Sequence, residues 1–190
     1  MIRLLGVTCG GDDLVDRIEA ALRAGVDAVI VREAQPPAGL SKLTPYGARV
    51  LMHARMTDAD AVAGSLGFGL HLPGHADVRA ARRHWAGRLS RSTHSAAEAS
   101  RALDDGADLV LLSPVRRSAS KPDDTRAPLG FDVFAPLRGR PVLALGGMRP
   151  EDLAVARRAG AAGIAAMGGL FGPEAALPAY CAAKTNSESS

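Results

Sequence analysis

Two glycine pairs and three histidines are the residues of this chain best suited to chemistry. Gly146-Gly147 follows the apolar run Val142-Leu143-Ala144-Leu145, and Gly168-Gly169 follows the run from Gly163 to Met167. Glycine lets the backbone approach a ligand closely, so that N–H groups can point at an anion. One such pair usually does no more than turn the chain. Two pairs after two successive buried runs point to a phosphate. His53, His71 and His94 lie at or just past the ends of other short runs. Imidazole titrates near neutrality and suits proton transfer. A histidine cluster could also bind a metal, but no ligand-type spacing unites these three, and no metal is expected. His71 lies inside an apolar run and reads as a satisfied core residue. His94 stands just before a helix start, which favours its neutral, basic form, and Glu33 is the carboxylate that could partner it. Ser118-Ala119-Ser120-Lys121 could add hydroxyls and a cation to an anion site, although a mobile polar loop is the plainer reading.

These residues need a scaffold that gathers strand ends at one place. The chain alternates short β-rich runs with amphipathic stretches, which argues for a parallel sheet. Strands are predicted at Ile2 to Thr8, Asp27 to Arg32, Arg49 to His53, Phe68 to Leu72, Arg88 to Arg91, Asp108 to Leu112, Pro141 to Leu145 and Gly163 to Met167. Asp12 or Asp13 can cap the first helix, whose apolar face is Leu14, Val15, Ile18, Ala21 and Leu22. Pro36, Pro37 and Gly39 allow only a short helix after the second strand. Ser95 and Glu98 form a capping box. A long loop runs from Ser113 to about Gly130, and loops of that length in compact domains are usually functional or disordered. A last helix is expected from Pro173 to Lys184, with a disordered polar tail at 185–190. A helix end, a glycine and a buried strand recur around Gly25, Gly106 and Gly160. Eight such units make a single-domain (β/α)8 TIM barrel over residues 1–184, with an open doubly wound sheet as the alternative. In a barrel the active site lies at the C-terminal strand ends, where all the residues above fall, together with Arg32, Glu33 and Met167.

The bulk properties exclude several classes. The chain has 190 residues and a net charge of +3, too small an excess to imply nucleic acid when its basic residues are scattered over many helices. Two cysteines, Cys9 and Cys181, make neither a disulfide framework nor a zinc motif. No apolar stretch reaches membrane-spanning length. The first residues run straight into a strand without a signal-peptide layout, so a cytoplasmic protein is expected.

Six stretches carry a resemblance. They are Val31-Arg32-Glu33, Gly69-Leu70-His71-Leu72-Pro73, Arg91-Ser92-Thr93-His94-Ser95, Ser118-Ala119-Ser120-Lys121, Ala144-Leu145-Gly146-Gly147-Met148 and Gly163-Ile164-Ala165-Ala166-Met167. In order and spacing they resemble the thiamine phosphate synthase/TenI superfamily of (β/α)8 barrels, from Leu4 to about Gly172. The synthase branch joins a pyrimidine pyrophosphate to a thiazole phosphate with magnesium. Its pattern places Asn-Asp after strand three, where this chain has His53-Ala54-Arg55, and Arg-x-Lys after strand two, where this chain has Arg32-Glu33-Ala34. The resemblance therefore points to the TenI-like branch and to a thiazole tautomerase, an isomerase that moves a proton without metal or cofactor. It implies His94 as the catalytic histidine, assisted by Glu33. It implies a phosphorylated thiazole held by Arg32, His53, Ser118, Ser120, Lys121, Gly146, Gly147, Met167, Gly168 and Gly169. A useful rate of thiamine phosphate synthesis is not expected. Synthase activity and a silent TenI-like binding or regulatory role are the alternatives, and a homodimer is compatible with either.

Overall fold

The computed structural model describes residues 1–117, 126–172 and 175–188. Eight parallel strands close in sequence order into a barrel. They are Leu4–Val7 (β1), Ala28–Val31 (β2), Val50–His53 (β3), Gly69–Leu72 (β4), Leu89–Thr93 (β5), Leu109–Leu112 (β6), Val142–Leu145 (β7) and Gly163–Ala166 (β8). β8 returns to pair with β1, with Leu5 opposite Ala165. The open-sheet alternative is thereby excluded.

Most strands are continuous apolar runs because both faces are buried, one against the helices and one inside the barrel. Leu5, Val7, Ile30, Leu51, Leu111 and Leu143 fill the interior, while alternate residues such as Val29, Met52, Leu70 and Val110 pack outward. β5 departs from this pattern. The sequence predicts it weakly at Arg88 to Arg91, yet it spans Leu89–Thr93. Its polar residues Ser90 and Ser92 face histidine inside the barrel, so its register carries chemistry at the expense of an apolar signature.

The helices are Leu14–Ala24 (α1), Ala59–Leu66 (α2), Val78–His84 (α3), Ala96–Asp104 (α4), Asp152–Ala159 (α5), Gly168–Phe171 (α6) and Leu177–Glu188 (α7). Two crossovers are 3-10 segments, Leu40–Arg49 and Asp132–Leu137, each interrupted by proline, Pro45 and Pro136 respectively. These short crossovers let 190 residues close a barrel. Asp13 occupies the start of α1 without a side-chain cap bond, contrary to the expected capping role. Ser95 does cap α4, accepting from Glu98 N at 3.2 Å, while Glu98 Oε2 accepts from His94 N at 2.9 Å. The reciprocal half of the box thus ties down His94, one residue before the cap.

The last helix corrects the sequence reading. It starts at Leu177 and runs to Glu188, so 185–188 are helical where a disordered tail was expected. Composition alone misses this because docking, not apolarity, holds the segment. Arg157 donates to the Ser187 carbonyl. Lys184 Nζ donates to Gly25 O at 2.8 Å and pairs with Asp27, whose other oxygen accepts from Arg3 N and Leu4 N. The helix is thereby pinned to the bottom of the barrel, where β1 and β2 begin.

Candidate active site at the barrel mouth

Strand register builds a polar row across the interior. Val31 pairs with Met52, which places Arg32, one step further, beside His53. His53 pairs with His71, and His71 with Ser90. The two imidazoles are tilted at 56° with centroids 5.3 Å apart. His71 Nδ1 lies 2.7 Å from Ser90 Oγ, and its Nε2 lies 2.9 Å from Ser92 Oγ. It is a buried histidine satisfied at both nitrogens. His53 Nδ1 accepts from Arg55 N at 3.1 Å, which leaves the ring proton on Nε2.

Electrostatics keep both rings neutral. Burial, then the charges of Arg32 and Arg55, push His53 down to about 4. Burial, then His53 and Arg32, push His71 down to about 3. Desolvation disfavours the imidazolium, and neighbouring cations repel it further.

On the rim, Glu33 and His94 are not brought together. Glu33 Oε1 accepts from Thr8 Oγ1 at 2.6 Å and Gly10 N at 3.1 Å, so it fixes the loop after β1. Thr8 Oγ1 in turn accepts from Arg32 N at 2.9 Å. The Arg32 guanidinium reaches Met167 Sδ at 3.2 Å, spanning from β2 to β8. His94 is exposed on the opposite arc. Its Nδ1 lies 2.8 Å from the Ser113 carbonyl, a bond that puts the proton on Nδ1 and leaves Nε2 as the acceptor. Arg126 lies against the ring, 2.7 Å from Nδ1 and 3.1 Å from Nε2. The expected Glu33–His94 partnership therefore gives way to two separate loop anchors.

The two glycine pairs differ. Gly146 and Gly147 take φ values of 103° and 62°. A Cβ on Gly147 would lie 2.3 Å from the Arg117 carbonyl oxygen. Arg116 N donates to Gly146 O at 3.2 Å, and Val115 N to Leu145 O at 2.9 Å. This pair is glycine so that the loop after β6 can lie on the turn after β7. In the second pair a Cβ on Gly169 would meet Tyr180 Oη at 2.2 Å, whereas one on Gly168 would meet nothing within 4 Å. Tyr180 Oη donates to Met148 O at 2.6 Å. It therefore joins α7 to the turn after β7 while packing on the one after β8. Gly168 alone opens onto free space, at the start of the short helix α6.

Sequence reasoning missed Arg55, Arg126, Ser90, Ser92 and Tyr180. The serine alternation of Ser90-Arg91-Ser92 was the available signal for the interior pair. Arg126 meets His94, and Tyr180 meets the turn after β7, only through the fold. Arg116 is held by buried Asp152 at 2.7 Å and stacks over Phe131, so it braces the loop. Ser118, Ser120 and Lys121 lie outside the described residues.

The family model for thiamine monophosphate synthase matches residues 4–170. A protein of Thermus thermophilus named thiamine-phosphate synthase is 36% identical over 163 residues, covering 77% of this chain and 76% of the relative. One of Anaeromyxobacter dehalogenans with the same name is 36% identical over 189 residues, covering 90% and 83%. Thiamine phosphate pyrophosphorylase from Pyrococcus furiosus superposes with a TM-score of 0.74 at 18% identity, over 99% of this chain and 96% of that one, which supports the fold. Among the described residues no helix is long and apolar enough to cross a membrane. The relatives overturn the expected thiazole tautomerase: they carry the name of the transferase branch that the missing Asn-Asp and lysine had seemed to disfavour. By the family match and by both relatives, the chain belongs to the thiamine monophosphate synthase/TenI family.

Proposed function

We propose that this barrel is a transferase of the thiamine-phosphate synthase type, joining a pyrimidine diphosphate to a thiazole phosphate. The likeness to the Anaeromyxobacter relative over 90% of the chain carries this reading. The mouth suits it physically. His71, closed at both nitrogens by Ser90 and Ser92, and His53 are neutral, so they place no charge beside a heteroaromatic ring. Cations stand at the rim, where two anionic ends need them. In the transfer, the bond from the pyrimidine's methylene carbon to the diphosphate oxygen breaks, and the oxygen keeps the electron pair. The thiazole nitrogen supplies the pair for the new carbon–nitrogen bond. The thiazole phosphate rests against the turns at Gly147 and Gly168, with Met167 beneath it and Ser118, Ser120 and Lys121 in the segment that follows Arg117. His94 holds the Ser113 carbonyl and so positions the start of the loop after β6. Glu33 positions the loop after β1.

The resemblance also implies magnesium, and the residues do not fit it. Magnesium is usually held by one or two carboxylates plus substrate phosphate oxygens. Ala54, past β3, presents a methyl group. Asp77, past β4, is engaged as the cap of α3, accepting from Ala80 N at 3.0 Å. Glu33 is committed to Thr8 and Gly10. Among the described residues no group of three or more His, Cys, Asp or Glu could hold a metal ion.

The test is to mix both substrates with purified protein, with and without magnesium, and to follow thiamine phosphate by chromatography. Turnover near 1 s⁻¹, about the low end of ordinary enzymes, is expected. No product under either condition, with the thiazole phosphate still bound, would overturn the reading. A second expectation concerns Gly168→Ala. The added methyl meets no protein atom, so melting should stay within about 2 °C of the parent, since alanine suits a helix better than glycine. The methyl points into the space assigned to the phosphate, so KM for the thiazole phosphate should rise about tenfold. An unchanged KM would move the phosphate elsewhere.

A further inference from the structure

We propose that the diphosphate is seated directly on Arg32, Arg55 and the Nε2–H of His53, in place of a carboxylate-held divalent cation. The inference rests on the transferase reading and deepens it.

Three observations converge. First, Arg32 and His53 are neighbours across the β2–β3 register, on strand ends that face the barrel interior. Arg55 follows His53 by two residues and is exposed. Second, the tautomer of His53 is fixed. Its Nδ1 is occupied by the Arg55 N–H, so Nε2 carries the proton and can only donate. A buried donor in the field of two guanidinium groups, that of Arg32 resting 3.2 Å from Met167 Sδ across the mouth, is a set that accepts an anion and repels a cation. Third, several arginines around the helical shell are paired with carboxylates. Arg23 pairs with Glu19, Arg79 with Asp105, Arg82 with Asp108 and Arg140 with Asp104. Among the described residues, neither Arg32 nor Arg55 has a carboxylate within 4.0 Å. Glu33, the nearest in sequence, is turned away onto Thr8 and Gly10. The positive field is therefore not neutralised by the protein, and both arginines act on His53. Guanidinium forks match phosphate oxygens with two parallel donors each, and fixed cations at a leaving group stabilise the charge that develops there.

The same three groups explain why a methyl at Ala54 is tolerated. A seat made of donors needs no ligand oxygen at that position. Magnesium brought in by the diphosphate itself would meet two fixed cations at the point where its protein ligands should be.

The experiment is calorimetric titration of the whole chain with inorganic pyrophosphate at pH 7.5, in buffer containing EDTA and then in buffer containing magnesium. The affinity in EDTA should be within about threefold of that in magnesium. Arg32→Gln and Arg55→Gln should each weaken binding in EDTA at least tenfold, about 1.4 kcal/mol. Arg55→Lys should recover part of the loss. Arg101→Gln, on the exposed side of α4, should bind as the parent does. Both mouth side chains are exposed, so the variants should melt with the parent, and melting is recorded for each. Binding that requires magnesium, or binding in EDTA that survives both glutamine substitutions, would overturn the proposal. Pyrophosphate binding in EDTA without any product in the transfer assay would leave this seat standing and sink the transferase reading. Turnover with magnesium and no binding in EDTA would do the reverse.

Discussion

At pH 5 the protein is expected to have lost about 4 kcal/mol of the stability it has at pH 7. The cause is the pair of buried histidines. An unfolded-chain imidazole takes up its proton near 6.5, whereas His53 resists until about 4 and His71 until about 3. Between those values the unfolded state binds more protons, so stability rises with pH and falls as the solution is acidified. Each histidine contributes about 2 kcal/mol of this loss between pH 7 and pH 5 at 1.36 kcal/mol per unit. Above pH 7 the effect is complete and the curve flattens. Urea unfolding at pH 7, 6 and 5 measures it directly. In His53→Gln the acid slope should fall by about half, because one of the two groups no longer titrates. A parent protein equally stable at pH 5 and pH 7 would show that the two rings are not held neutral inside the barrel.

A valine at Gly147 should abolish useful affinity for the thiazole phosphate, by a factor of at least about 100, or about 2.7 kcal/mol. Two effects combine. The φ of 62° is left-handed backbone that a β-branched residue adopts only with strain. The new Cβ would also stand 2.3 Å from the Arg117 carbonyl oxygen, a backbone atom that cannot rotate aside. The loop after β6, described as far as Arg117, must lift off the turn after β7. Stability should fall by about 3 kcal/mol, and the melting temperature by about 6–12 °C. Titration with the thiazole phosphate well below the melting transition separates the two losses. A folded variant with near-parent affinity would remove this turn from the phosphate seat.

The barrel was legible in the sequence because its strands are buried on both faces and its helices end in glycine. Those signals are local and recur along the chain, as at Gly25, Gly67 and Gly160, which end α1, α2 and α5. The site was less legible, for reasons that differ by residue. His71 could be read correctly as a satisfied core residue because an apolar run surrounds it. The Glu33–His94 pairing failed because strand-end position fixes which mouth a residue lines but not which arc of it. Thr8 and Gly10 lie on Glu33's own side, and Ser113 lies on His94's. The glycines after β7 and β8 look alike in sequence, yet three of the four make room for Arg117, Pro114 or Tyr180, contacts formed only when distant segments meet. The functional branch was misjudged because missing magnesium ligands were read as a missing reaction. A different set of cations can serve the same leaving group.

Helix α7 touches the barrel at both heights: Lys184 and Ser187 at the bottom, Tyr180 against the turns after β7 and β8. From Lys184 to Tyr180 is one helical turn, about 6 Å of rigid rod. A label attached to the last turn of α7 therefore pulls on a lever whose other arm ends at the turns after β7 and β8. Met1, 92% exposed three residues before β1, is the freer place for a label. Handles for immobilisation or labelling belong there, and a kinetic defect seen only in tail-tagged protein would be a property of the handle.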